Sequence, residues 1–305
     1  MAQFRRERRP IDGVLLLDKS VGVSSNHVLQ RVKHLYRAER AGHTGTLDPL
    51  ASGLLPITLG EGTKYSGYLL DADKAYRAVL RLGQRTTTGD AEGEVVEERP
   101  VAVTRAQLDA TIARFTGAIG QVPPMYSALK RDGRPLYELA RAGITVERAA
   151  RPVTISRIEI VSFDLPAVAI DVECSKGTYI RTLAEDIGEA LGCGAHLTAL
   201  RRTRTGAASI ADSISLERLQ QLAPADLDAI LFPMDRFLAH FARIDLDAAQ
   251  TGALMNGQPV RTDHSVAPGM ARVYAPDGRF LGLGELDAEG ELQPRRLIRT
   301  APGER

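Results

Sequence analysis

The amino-acid sequence predicts an α+β fold with a mixed, largely antiparallel sheet, followed by a small β-rich domain at the C-terminal end. Segments of strand length alternate apolar and polar residues, and helical segments lie among them without a strict strand–helix–strand order. The pattern changes character after about residue 240. At 305 residues with 44% hydrophobic content, the chain is long enough for two domains, which we place at residues 1–240 and 241–305.

The first elements follow from apolar runs and a helix cap. The apolar run over 13–17 is too short for a helix, which predicts a buried strand over 11–18. A serine cap then begins a helix whose inner face includes Val28 and Val32. A second apolar strand over 54–59 is predicted to break at Pro56, because proline cannot donate to a strand ladder.

Turn and cap residues define the elements that follow. Thr104 is a typical N-cap, and Asp132-Gly133 is a strong hairpin signal. The predicted elements, in chain order, are a short helix over 62–70, a strand over 74–82, a helix after Thr104, a helix over 136–142, strands over 153–163 and 168–174, a helix over 179–191 and a closing strand over 195–204.

The predicted C-terminal domain begins after a stretch, residues 222–238, in which the periodicity loosens. A short helix over 246–255 is followed by a hairpin that turns at Asp277-Gly278. These elements predict a small β-rich unit.

Composition excludes several classes of protein. The formal net charge is +1, so a nucleic-acid surface has to come from local patches. Cys174 and Cys193 are too far apart for a CxxC pair, and the six histidines show no metal-ligand spacing, so we expect no disulfide framework and no metal site. No apolar run is long enough for a membrane span, and the basic tip at 4–10 lacks the apolar segment of a secretory signal. We therefore expect a cytoplasmic protein with no membrane partner.

Motifs for nucleotide cofactors and serine hydrolases are missing. The glycine-rich run over 59–64 lacks the Gly-Lys-Ser/Thr ending of a P-loop, and no GxGxxG follows the first strand. No GxSxG elbow occurs either. The sequence therefore gives no support to nucleotide-cofactor or triad chemistry.

The most informative segment is the glycine-rich loop over 42–53, which carries the single carboxylate Asp48. Glycines supply unusual backbone angles or close backbone approach, and Pro49 favours an extended Asp48. A carboxylate on a rigid loop is a candidate for chemistry. The alternative is a surface turn with a side-chain-to-backbone hydrogen bond.

Two arrangements would give Asp48 a chemical role. Asp48 and Asp90 would form a glycoside-hydrolase pair if they faced each other across a sugar bond. Alternatively, Asp48 works with Tyr76 on a strand and with Tyr179 and Arg181, which begin a helix. The residues alone leave both arrangements open.

Six motifs occur in one order along the chain. They are Asp18-Lys19-Ser20 with Gly22 and Ser24, the loop over 42–53, Lys74-Ala75-Tyr76, the run over 88–93, Pro123-Pro124-Met125-Tyr126-Ser127-Ala128, and Gly177-Thr178-Tyr179-Ile180-Arg181. Over residues 11–205 they resemble the bacterial tRNA pseudouridine-55 synthase family, known as TruB, and the tail after 243 resembles its small PUA-like domain. The resemblance implies a catalytic domain of pseudouridine-synthase type.

The resemblance also implies roles for particular residues. Asp48 would act as nucleophile or base, Arg181 would pair with it and lower its pKa, and Tyr76 would stack on the uracil or handle the C5 proton. His43 would fill the space of an extruded base, and Asp90 would complete a network around the arginine. The implied catalytic residues are Asp48, Tyr76 and Arg181, and the implied substrate-binding residues are His43, Tyr179, Leu200, Lys19, Lys64 and Asp90.

The implied reaction is isomerisation of uridine to pseudouridine at position 55, in the T-arm loop of tRNA, by base flipping and without a cofactor. Residues 123–151 resemble an insertion that grips the RNA. Further basic patches are predicted at Lys19, Lys64 and 201–204. The expected partner is the tRNA T stem-loop, and tRNA-folding chaperone activity is a second expectation. No protein partner is implied, and we expect a monomer.

Overall fold

The computed structural model describes residues 8–262 and 266–299, so most of the basic tip predicted at 4–10 lies outside the described residues. The strands are β1 (Gly13–Lys19), β2 (Ala41–His43), β3 (Ala51–Leu59), β4 (Lys74–Leu82), β5 (Gln84–Thr86), β6 (Val95–Glu98), β7 (Gly117–Gln121), β8 (Lys130–Arg131), β9 (Arg134–Pro135), β10 (Arg151–Asp164), β11 (Ala167–Cys174), β12 (Ala195–Thr205), β13 (Ala208–Ser209), β14 (Ile214–Ser215), β15 (Ala242–Asp245), β16 (Val260–Arg261), β17 (Gly269–Tyr274), β18 (Phe280–Leu286) and β19 (Glu291–Leu297). The α-helices are α1 (Ser25–Leu35), α2 (Ser66–Asp71), α3 (Arg105–Arg114), α4 (Leu136–Arg141), α5 (Ile180–Ala190), α6 (Leu216–Gln220) and α7 (Ala248–Met255). None of the helices in the described ranges has both the length and the apolar character needed to cross a bilayer.

The first and larger part of the chain folds around a large mixed sheet. Its main path runs β14-β1-β3-β12-β4-β11-β10-β7, with β2 added to β3 and β13 added to β12. The β1–β14 and β3–β12 pairs are parallel, and the other pairs of this sheet are antiparallel. The predicted α+β class with a mixed, largely antiparallel sheet is confirmed.

Two apolar clusters cover different parts of the sheet. One packs α3 and α5 on β4, β11 and β12, and the other packs α1 and α6 on β1 and β3. Tyr76 and Leu200 are partly buried side chains that contact both clusters. The junction between the clusters therefore lies at the middle of the sheet, where these two side chains are found.

The C-terminal part of the chain folds around a second sheet in the order β15-β17-β18-β19-β16 and has its own apolar core. This sheet confirms the β-rich C-terminal domain. The domain packs on the segment before α2 through a cluster that includes Tyr65, Leu238 and Leu283.

Two differences from the sequence predictions have clear causes. Strand β3 is not broken at Pro56, because residues 51–53 pair with β12 and residues 57–59 pair with β2, and Pro56 falls in the gap between them. The predicted helix over 62–70 is a 3₁₀ helix over Gly60–Tyr65 followed by α2. Both differences lie in the stretch that leads from the glycine-rich loop to Tyr76.

Candidate active site

The loop that carries Asp48 is pinned to neighbouring elements. The hydroxyl of Ser25, at the start of α1, accepts a hydrogen bond from the Leu47 N–H at 2.8 Å and donates one to the Leu47 carbonyl at 2.9 Å. The Gly22 N–H donates to the Pro49 carbonyl at 2.8 Å. Asp48 is therefore held from both sides, which a simple surface turn would not require.

Arg181 connects Asp48 with Asp90. It is the second residue of α5, and its guanidinium lies 3.0 Å from the Asp48 carboxylate and 3.5 Å from that of Asp90. It also donates to the carbonyls of Thr88 at 3.2 Å and Tyr126 at 2.6 Å. Only 7% of the Arg181 side chain is exposed, so its charge acts on groups inside the site.

Asp90 is a buried member of this network. Its carboxylate accepts hydrogen bonds from the Thr88 hydroxyl at 2.6 Å and from the Glu92 N–H at 3.1 Å. Because one arginine bridges both carboxylates, Asp48 and Asp90 do not flank an open space for a sugar bond. The geometry therefore disfavours the glycoside-hydrolase arrangement.

The pKa of Asp48 is raised above its ordinary value of 3.8, which differs from the expected lowering. Burial of the carboxyl group is the largest cause, and the nearby Asp90 carboxylate adds to it. Arg181 does act to lower the pKa of Asp48, but it does not outweigh burial. The Asp48 side chain is still 41% exposed, so a reactant has access to it.

Tyr76 lies next to a buried arginine. On the central strands Tyr76 pairs directly with Arg202, which is 1% exposed. The Arg202 guanidinium donates to the carbonyls of Leu54 at 2.7 Å and Gly45 at 3.1 Å. These bonds hold the glycine-rich loop in place. Burial raises the pKa of Tyr76, whereas the charge and hydrogen bond of Arg202 act to lower it. Arg202 is thus an internal residue and not part of an RNA-facing patch.

Three of the predicted substrate-binding residues lie near this network. Tyr179 caps α5 two residues before Arg181, and both the Asp48 and Arg181 charges act on its hydroxyl. Leu200 on β12 pairs with Ala78, two residues after Tyr76 on β4, and contacts the same two clusters as Tyr76. His43 ends β2, and its buried Nδ1 has no hydrogen-bond partner among the described residues.

Lys19 is close to Asp48 but is fully buried. Its ammonium group donates to the carbonyls of Ser20 at 2.9 Å and Val23 at 2.7 Å. Burial lowers the pKa of Lys19 to about 8, and the Asp48 charge opposes this. Its charge acts on the site, but the ammonium is not free for a phosphate.

The structure does not bring Lys64 to Asp48. Lys64 pairs with Glu61 and donates to the carbonyl of Leu297 at 2.8 Å, at the contact with the C-terminal domain. Lys64 therefore lies at the contact between the two sheets, and its predicted role in binding RNA stays a prediction.

At the predicted patch over 201–204, the partly exposed arginines are already in ion pairs. Arg201 pairs with Asp18 at 2.6 Å, and Arg204 pairs with Glu173 at 2.6 Å. In contrast, Lys130 on the β8–β9 hairpin is exposed and has no ion-pair partner among the described residues. The insertion therefore carries exposed basic charge that is not taken up by an ion pair.

Sequence reasoning missed Gln121 and treated Arg202 only as surface charge. Gln121 ends β7 and is 2% exposed, with its amide hydrogen-bonded to the backbone of Tyr179. Its one sequence signal is its position two residues before the motif that begins at Pro123. Both residues act on partners far away in the chain, which spacing alone does not reveal.

Comparison with known proteins identifies the family of this chain. Three family descriptions match consecutive parts of the chain: the TruB family pseudouridylate synthase N-terminal domain at residues 33–180, the tRNA pseudouridylate synthase B C-terminal domain at 181–239, and the pseudouridine synthase II TruB C-terminal domain at 242–298.

Curated relatives match over nearly the whole chain. The "tRNA pseudouridine synthase B" of Chromobacterium violaceum is 56% identical over 300 residues, which are 98% of this chain and 98% of that protein. The protein of the same description from Pseudomonas aeruginosa (strain UCBPP-PA14) is 53% identical over 304 residues, covering 98% of this chain and all of the relative.

A solved structure described as a Cbf5-Nop10-Gar1 complex contains a chain that is 25% identical, with a TM-score of 0.71 over 94% of this chain and 87% of that chain. A second, described as an H/ACA RNP bound to a substrate RNA containing 2'-deoxyuridine, shares the fold at 23% identity and a TM-score of 0.71, over 94% of this chain and 85% of that chain. With family matches along its length and relatives above 50% identity, the chain belongs to the TruB family of pseudouridylate synthases.

Proposed function

We propose that this enzyme converts uridine to pseudouridine at position 55, in the T-arm loop of tRNA. One observation carries the proposal: Asp48 lies partly exposed on a pinned loop, paired with the buried Arg181. The names of the curated relatives support tRNA as the substrate.

The reaction is a balanced isomerisation. The bond from C1′ of the ribose to N1 of the uracil breaks, a bond from C1′ to C5 forms, C5 loses its proton and N1 gains one. Nothing is oxidised or transferred to a second molecule, so the chemistry requires no cofactor. The protein has to extrude the nucleotide, hold the detached base, and provide an anion and a proton acceptor.

The site residues divide these tasks. Asp48 acts in its ionised form as nucleophile or base, and Arg181 stabilises that form. The ring of Tyr76 stacks on the uracil, and its hydroxyl is the acceptor for the C5 proton. Tyr179 and Leu200 supply an apolar wall for the flat base.

The remaining predicted residues act around this centre. Asp90 balances the charge of Arg181, and Lys19 supports the loop beside Asp48 while its charge favours the carboxylate. His43 occupies the space that the extruded base leaves. For Lys64 the observed contact is with the C-terminal domain, and this contact supports a structural role better than a role in binding substrate.

The insertion at 123–151 provides the proposed grip on the RNA. Its hairpin exposes Lys130, Arg131 and Arg134 to solvent. Phosphate contacts of this kind give affinity that falls as salt rises. The division into a catalytic domain over 1–240 and a PUA-like RNA-binding domain over 241–305 is part of the proposal, and the separate sheets support it.

The test is Asp48→Asn, assayed by nucleoside analysis of a tRNA transcript, with Asp171→Asn as the matched control. Asp171 forms a 2.8 Å pair with Arg77 away from the site, so the same change there should leave activity intact. We expect Asp48→Asn to bind tRNA but to form no pseudouridine, because it lacks the anion. Full conversion by Asp48→Asn would overturn the assignment.

We also propose tRNA-folding activity that is independent of the chemistry, because the exposed basic hairpin lies outside the Asp48 network. The catalytically inactive Asp48→Asn protein should still speed the refolding of misfolded tRNA. Refolding rates identical to those without protein would remove this second function. A monomer in the cytoplasm remains our expectation for the working form.

A further inference from the structure

One buried side chain holds Tyr179, the N-cap residue directly before α5. The Oε1 atom of Gln121 accepts a hydrogen bond from the Tyr179 N–H at 2.7 Å, and its Nε2 donates to the Tyr179 carbonyl at 3.0 Å. Gln121 is 2% exposed, so water does not compete for these bonds. A single amide therefore fixes both polar backbone groups of one residue.

That residue determines where α5 begins. Tyr179 is the N-cap of α5, and no side-chain cap bond is made there among the described residues. Its carbonyl already accepts the first helical bond, from the Leu183 N–H at 3.0 Å. The Gln121 amide thus fixes the position of the helix start, which a capping side chain usually does.

The position of α5 matters because Arg181 is its second residue. A shift of the helix start would move the guanidinium away from Asp48, from which it is separated by 3.0 Å. Displacement of about 1 Å by a change away from the reacting atoms can cost about 100-fold in rate.

Gln121 also stands at the root of the insertion. On the sheet it pairs with Arg151, so the chain between these two residues leaves and re-enters at one point. Within that stretch the Tyr126 carbonyl accepts a 2.6 Å bond from Arg181. The root of the insertion therefore contacts both Tyr179 and Arg181.

We propose that Gln121 is a positioning residue that fixes Arg181 against Asp48 and links their geometry to the insertion. It does so through the backbone of Tyr179, without touching substrate. The inference rests on the proposed roles of Asp48 and Arg181.

The test compares Gln121→Leu with Gln107→Leu. Gln107 is a suitable match, because its Oε1 accepts from the N–H of Thr104, the N-cap of α3, at 2.8 Å and lies outside the Asp48 network. We expect Gln121→Leu to lower the single-turnover rate constant about 100-fold with little change in tRNA affinity. Gln107→Leu should leave both quantities unchanged.

Gln121→Glu provides a readout that general destabilisation would not produce. Its ionised carboxylate accepts from the Tyr179 N–H but repels the Tyr179 carbonyl, whereas the protonated acid can both accept and donate. The rate of Gln121→Glu relative to the parent enzyme should therefore rise as pH falls. This measurement also decides the matter if Gln121→Leu does not fold.

A parent-like rate for Gln121→Leu, or a relative rate of Gln121→Glu that does not depend on pH, would overturn the inference. Equal losses of rate and affinity in Gln121→Leu would do the same. The proposed function fails separately, through an active Asp48→Asn.

Discussion

Asp48 is held in a condition that favours reactivity over stability. Burial and Asp90 destabilise its carboxylate, while Arg181 and Lys19 oppose them. The side chain nevertheless keeps 41% exposure. The surroundings therefore stabilise the Asp48 carboxylate less than they would stabilise a fully paired one. A less stabilised carboxylate is better suited to attack or to accept a proton.

This balance predicts the pH dependence of catalysis. Below its raised pKa Asp48 is protonated and inactive, so the single-turnover rate should fall as pH falls, starting above the ordinary value of 3.8. Because the Asp90 charge raises the pKa of Asp48, Asp90→Asn should move this acid limb to lower pH. The measurement is the pH profile of pseudouridine formation by both proteins. An acid limb that stays in place, or moves to higher pH, would show that another group controls it.

At the scale of elements, prediction succeeded where local pattern decides structure. The strand over 74–82 was predicted with the observed bounds, and Thr104 caps α3 as expected, with a capping box to Gln107. Strand β7 was missed because Gly117 and Gly120 interrupt its alternation, so only pairing with β10 defines it. Local sequence cannot show that partner.

The candidate site divides in the same way. The family resemblance of the six motifs pointed to Asp48, Tyr76 and Arg181, and the structure brings Asp48 and Arg181 into contact. The motifs did not reveal Gln121 or Arg202, whose roles depend on carbonyl and amide groups that only the folded chain brings near. The burial of Lys19 and the ion pair of Lys64 were also not visible in the sequence, because both depend on the folded chain.

The β8–β9 hairpin gives a prediction about RNA affinity. Replacing Lys130 and Arg134 by alanine should weaken tRNA binding and reduce its salt dependence by about one unit of slope per residue, because each exposed charge displaces counterions from a phosphate. The control is the pair Arg201→Ala and Arg204→Ala, which removes the same net charge from groups already paired with Asp18 and Glu173. The measurement is the dissociation constant over a range of salt concentrations. A larger effect from the control pair would place the RNA contact at Arg201 and Arg204 and not at the hairpin.

At the scale of the whole molecule, the C-terminal domain is joined to the catalytic sheet by more than a linker. The Tyr65 ring packs on Phe280 at 5.6 Å between centroids, and Leu238 and Leu283 complete a shared apolar cluster. Lys64 donates to a carbonyl of the last strand. Because the 3₁₀ helix that carries Lys64 and Tyr65 lies between β3 and β4, the contact reaches the segment that joins the Asp48 loop to Tyr76.

We therefore expect the two domains to unfold together. Tyr65 donates to the Arg296 carbonyl of the other domain at 2.7 Å, and Tyr36 donates to the Leu227 carbonyl within the catalytic domain, also at 2.7 Å. Each of Tyr65→Phe and Tyr36→Phe removes one hydrogen bond to a backbone carbonyl. The expected cost is about 1 kcal/mol for the partly buried Tyr65 bond and about 1–3 kcal/mol for the buried Tyr36 bond. In calorimetry both variants should lower the midpoint of one common transition by a few degrees. If Tyr65→Phe instead left the main transition unchanged, or a separate small transition appeared, the domains would be independent and the cross-domain bond would carry no stability for the catalytic sheet.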